Sequence, residues 1–168
     1  MEPADESTLE ALASAIFRQI DALGSLRFKF EVQQMMLAGG RAGWVEETTR
    51  ELRTAIEEVQ STDLHFRRQL QAVGIALSLS PEATLREVAE AAEDPWRYIY
   101  SQGREELRTA IERVGMLCEE NRKLLARGFL ATTEALAMLG LGSLGMSYDA
   151  SGAPLPPLTA AAIINMKA

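Results

Sequence analysis

The sequence holds a single cysteine, a single histidine and few aromatic residues, and each scarcity narrows what the protein can be. With Cys118 alone, no internal disulfide can form, and there is no second histidine to pair with that thiol for nucleophilic chemistry. The residue three before His65 is Thr62, so the Glu-x-x-His element of a carboxylate-bridged metal site is missing too. Aromatics at 6% leave the core to Leu, Ile, Val and Ala, which is how helical bundles are filled. No apolar segment approaches the ~18 residues of a membrane span, so no stable membrane insertion is expected. Met1–Glu6 has neither the charge nor the apolar run of a signal peptide, and a cytoplasmic protein is expected. Positive charge is also short. A formal net charge of −7 argues against nucleic acid or an anionic membrane surface as the main partner, because binding phosphate needs a positive field.

What is present is helical periodicity. From Pro95 to Leu139 there is no further proline, and Tyr100, Leu107 and Val114, with Leu117, Leu124, Ala131 and Met138, fall on two seven-residue series. A helix of that length needs long partners. Ser7 and Glu10 form a capping-box pair that predicts a helix start, followed by Leu9, Leu12, Ile16, Leu23, Leu26, Phe30 and Leu37 at 3-4 spacing. Gln19 and Gln33 interrupt that row. Gly24 weakens the helix without shifting its apolar phase, so one helix is expected through it. The Ala38–Gly43 run ends it with glycines that can take a left-handed conformation. A second helix opens near Trp44, with Glu46 and Glu47 at the positive end of its dipole, and carries Val45, Leu52, Val59, Phe66 and Val73 every seven residues. Ala55, Ile56, Leu70, Ala76 and Leu77 widen this row. Pro81 closes that helix, and a second capping box, Thr84 with Glu87, starts a short connecting helix.

After Leu139 the glycines of Gly140–Gly145 and the prolines of Ala153–Pro157 defeat helix formation. The expectation is therefore all-α: an elongated antiparallel bundle or coiled coil of three long helices and one short connector. Its domains are a helical body over 1–140 and a mobile apolar C-terminal tail over 141–168. The segments Glu51–Val59 and Glu106–Val114 differ at one position, which similar heptad demands explain better than duplication.

Chemistry is sparse. Cys118 sits at the edge of an apolar row, where a buried inert thiol is expected. The carboxylate pairs Glu46/Glu47, Glu57/Glu58, Glu105/Glu106 and Glu119/Glu120 read as solvated helix charges, with Glu119 four before Lys123 in the stabilising orientation. The glycine run contains no lysine and opens no helix, so it is no phosphate cradle. No enzyme, no cofactor and no metal site is expected.

Several stretches, in order, resemble the FlgN-type flagellar type III export chaperones. Leu26–Gly40 running into Trp44–Leu52 is similar to that family's glycine-marked break between its first two helices. Phe66-Arg-Arg-Gln-Leu70 follows, then Ala83-Thr-Leu-Arg-Glu-Val88 in the place of a short "TLxEL" helix. Asn121-Arg-Lys-Leu-Leu125 is similar to an "N..LL" segment, and Ser147–Gly152 to a closing "Y…G" signature. The likeness covers roughly Leu9 to Gly152. It implies a cytosolic chaperone that binds the C-terminal helical segments of hook-associated, hook-filament junction proteins, keeps them monomeric and delivers them to the flagellar export gate.

Apolar residues at the end of the long helix occupy more than one face, too wide for a single intramolecular seam. Leu124, Leu125, Phe129, Thr132, Leu136 and Leu139, with Leu141 and Leu144, are therefore the candidate substrate-protein surface, by helix-in-groove packing. The opposing expectation is that the first helix covers them. Tyr148 is the candidate for export-gate docking by resemblance only. Asn121, at an a position, reads as a register-setting polar core residue. The competing class is a non-enzymatic coiled-coil structural or adaptor protein, with self-association through the same heptads, as in a homodimer.

Overall fold

A computed structural model describes residues 5–138 of the chain. Helix α1 (Glu6–Ala38) is capped by Asp5, whose carboxylate accepts the Ser7 backbone N–H at 3.4 Å. The expected Ser7 cap is thus displaced by two residues: the acidic side chain ahead of it reaches the free amides first. The helix passes Gly24 without a break and ends at Gly39, with Gly40 at φ +66°, the left-handed conformation that glycine adopts without a Cβ clash. A 3-10 turn, Ala42–Trp44, leads into α2 (Val45–Ala76).

Ser78 and Pro81 follow the end of α2, and Thr84 then opens α3 (Leu85–Ala91) with the full reciprocal box. Thr84 Oγ1 accepts the Glu87 N–H at 3.3 Å, and the Thr84 N–H donates to the Glu87 carboxylate at 2.7 Å. That backbone hydrogen bond, followed by the one from the Thr84 hydroxyl, holds the Glu87 carboxyl below the usual range. Helix α4 (Trp96–Met138) completes the order α1–α2–α3–α4, and no strand occurs among the described residues.

The chain divides after Leu124. In the first unit α1 and α4 run parallel at one fixed register. The Tyr100 hydroxyl donates to Leu9 O at 2.9 Å and Asn121 Nδ2 donates to Phe30 O at 2.8 Å, both across a separation of 91 residues. Helix α2 runs antiparallel to α1, as the Lys29–Glu51 ion pair at 2.8 Å and the Gln33 Nε2 to Thr49 Oγ1 hydrogen bond at 3.2 Å show. Among the described residues the arrangement is thus three long helices with one short connector.

The seam is filled as the heptads require. Leu9, Leu12, Ile16 and Leu23 of α1, Val73 of α2, Leu85, Val88 and Ala89 of α3, and Tyr100 and Leu107 of α4 share one buried cluster. The short helix therefore closes one end of the bundle with its own apolar face. A second cluster of Leu26, Phe30, Leu52 and Ala55 lies nearer the α1–α2 turn, with Val59 and Val114 packed against both. Gly103 lets α4 come close to α1: a Cβ there would stand 2.6 Å from Ile16 Cγ2. Tyr100 is fully buried, and desolvation pushes its phenol above the ordinary tyrosine range.

Gln19 and Gln33, which break the apolar row of α1, are buried all the same. Cys118, expected inside, is exposed. It lies one position past the half-buried Leu117, and a step of about 100° carries it off the seam. Ile56 is also exposed, so the stripe on α2 is narrower than its sequence suggests.

Candidate functional site

Helix α4 changes character along its length. Tyr100, Gly103, Leu107 and Asn121 are buried, Val114, Leu117 and Leu124 half-buried, and every residue from Leu125 to Met138 is exposed. One heptad row continues through Leu124 to Ala131 and Met138, whereas the other passes through the polar Asn121 and Gly128 before Ala135. The apolar pattern thus persists where burial stops.

Of the expected surface residues, Leu125, Phe129, Thr132 and Leu136 lie on the second unit and are exposed, and Leu124 ends the first unit half-buried. Leu139, Leu141, Leu144 and Tyr148 lie outside the described residues, as does the expected domain boundary at 140/141. Two large side chains join the exposed set that the sequence reading left out, Leu130 at 60% and Met138 at 87% exposure, beside Phe129 at 63%. Met138 was already visible in the heptad series, and Leu130 could have been found by asking which apolar residues fall off every seam.

The chemistry of this segment is apolar to an unusual degree for an exposed helix. Between Leu125 and Met138 the only charges are Arg127 and Glu134. The Thr132 and Thr133 hydroxyls donate to the backbone carbonyls of Gly128 and Phe129, each at 2.9 Å, so both side chains meet their hydrogen-bonding need within the helix. Thr132 can then sit in an apolar contact without leaving a stranded polar group. Exposed apolar surface of this kind, carried on one helix, is what a partner helix covers.

Several of the paired carboxylates are held by neighbouring cations. Glu46 and Glu47 both pair with Arg50, Glu105 with Arg104 and Arg108, and Glu119 with Lys123 at 3.7 Å. His65 is exposed, and no cluster of three or more His, Cys, Asp or Glu placed to hold a metal occurs among the described residues. No described helix is long and apolar enough to cross a membrane.

Fold and surface together define a class: a helical bundle whose helix α4 carries an unburied apolar segment. A family model, described as FlgN protein, matches residues 1–156, and the chain belongs to the FlgN family. FlgN proteins are flagellar export chaperones, and that general role holds for this chain. No curated protein and no solved structure matches the sequence.

Proposed function

We propose that this chaperone works in the cytoplasm and binds the C-terminal helical segments of hook-filament junction proteins, prevents their premature assembly and delivers them to the type III export gate. The binding surface is Leu124, Leu125, Phe129, Thr132 and Leu136 of α4, continued by Leu139, Leu141 and Leu144, with Leu130 and Met138 added to it. Tyr148 docks on the export gate. The observation that carries this reading is the exposed apolar run from Leu125 to Met138. A substrate's terminal amphipathic helix is prone to aggregate when exposed, and it needs an apolar helix of matching period to cover it. The interaction is reversible by design of its parts, because packing between two helices can be released without breaking a covalent or metal bond.

The test is a Phe129→Asp/Leu136→Asp variant. Both side chains are exposed in the free protein, so the variant is expected to keep wild-type helicity and thermal stability. Two carboxylates placed in an apolar contact should weaken binding of a hook-associated protein by at least about 100-fold. A folded variant that binds with full affinity would refute the surface assignment.

A further inference from the structure

The interior of the first unit is unevenly provided. At the α3 end, twelve buried apolar residues form one cluster, among them the fully buried Leu12, Val73, Val88 and Tyr100. At the α1–α2 turn the cluster is four residues, Leu26, Phe30, Leu52 and Ala55. The two meet only through half-buried side chains, Val59 and Val114. Beyond the smaller cluster the seam turns polar. Asn121 Nδ2 donates both to Phe30 O and to Gln33 Oε1 at 3.1 Å, and Gln33 Nε2 donates to Thr49. Asn121 is 2% exposed, yet its Oδ1 finds no donor among the described residues. A second orphan, Gln19 Oε1, lies on α1 between Ile16 and Leu23 of the larger cluster.

The other ties across this end lie at the surface. Lys29 and Glu51 form their ion pair with both side chains partly in water, and the Gln34 to Glu120 hydrogen bond at 2.7 Å is exposed. Ties of this sort hold helices together only weakly. Local opening follows where apolar contacts are few and buried polar groups are incompletely paired, since water can then repair what the fold leaves unmade.

We propose that the end of the bundle beside the α1–α2 turn opens as a unit of its own, with the Asn121–Gln33 polar layer setting its low stability, while the α3 end stays closed. The break falls at Val59 and Val114. Opening separates α1 and α2 from α4 over this stretch and uncovers Leu26, Phe30, Leu52 and Ala55. Tyr100 and its hydrogen bond to Leu9 O keep α1 and α4 in register throughout, so closing restores the same pairing. The device is thus a bundle that can loosen at one end without losing its alignment.

Native-state amide exchange on the full chain, read by mass spectrometry of peptides, tests it. Peptides within 26–33, 48–56 and 114–121 are expected to exchange at least about tenfold faster than those within 12–23, 66–73 and 100–107. Exchange at the two ends agreeing within about twofold would overturn the proposal. A Gln33→Leu/Asn121→Leu variant removes both polar partners together, a change that costs little when the groups are buried. It is expected to slow exchange at the turn end by roughly tenfold and to leave the α3 end unchanged. Equal slowing at both ends, or none at the turn end, would count against the polar layer as the cause. Should that variant fail to fold, the wild-type comparison still decides whether the ends open separately.

Discussion

Replacing Gly103 with alanine should destabilise the protein, although alanine is the better helix former. The residue sits inside α4 against Ile16, which is 1% exposed, and the added Cβ would lie 2.6 Å from Ile16 Cγ2 and 3.7 Å from its Cβ and Cδ1. Comfortable carbon contacts begin near ~3.5 Å, so α1 and α4 would have to part by about 1 Å. The opposing group cannot swing aside, because a β-branched side chain on a helix has one strongly preferred rotamer. Overpacking of this kind costs about 1–3 kcal/mol, and the helix-propensity gain returns about 1 kcal/mol. The net expectation is a loss of up to about 2 kcal/mol, or several degrees in Tm. Gly115→Ala on the same helix is the control. Its Cβ meets nothing within 4 Å, so it should gain up to about 1 kcal/mol. Urea unfolding followed by helical circular dichroism measures both. Ile16→Ala removes the clashing methyl, so the double variant with Gly103→Ala should be about 1–2 kcal/mol more stable than the sum of the single effects. A Gly103→Ala protein that gains as much stability as Gly115→Ala would show that the helices do not approach as closely as described.

Other perturbations follow from single contacts. Tyr100→Phe loses the hydrogen bond to Leu9 O and should cost about 1 kcal/mol. Because burial raises the Tyr100 pKa, the folded state keeps a proton that the unfolded chain gives up above about pH 10. Stability is therefore full below that pH and falls as pH rises past it, by up to about 1.4 kcal/mol per unit. Urea titrations at pH 8.5 and above 10 should show this alkaline loss reduced in Tyr100→Phe, and an identical slope in both proteins would refute the assignment. Thr84→Ala should cost about 1 kcal/mol by opening the α3 capping box, whereas Ser7→Ala should be near neutral in the same unfolding assay, because Asp5 caps α1.

Much of the fold was legible because heptad spacing is a direct record of which face is buried. The rows through Leu52 and Val73, and through Tyr100 and Leu107, reach the core where their period places them. The glycines at 39 and 40 and the box at Thr84 mark helix ends as local chemistry requires. Less legible was anything that depends on a neighbour from another part of the chain. Gln33 looks like an interruption until Asn121, 88 residues away, is seen to complete it. Gly103 drew no reading from the sequence, and its role emerges only with Ile16 beside it. Cys118 was misplaced because a helix edge and a helix interior differ by a single residue step, a resolution that periodicity alone does not have. The candidate surface rests on apolar residues that occupy more than one face of a helix, a pattern visible in sequence, while the exposure of Leu130 was not.

The central claim, that this FlgN-family chaperone captures the C-terminal helices of hook-filament junction proteins, is most directly tested by co-purification against hook-associated proteins with and without those C-terminal segments. Binding is expected to the intact proteins and to be lost when the segments are removed. Retention at undiminished affinity after their removal would contradict it.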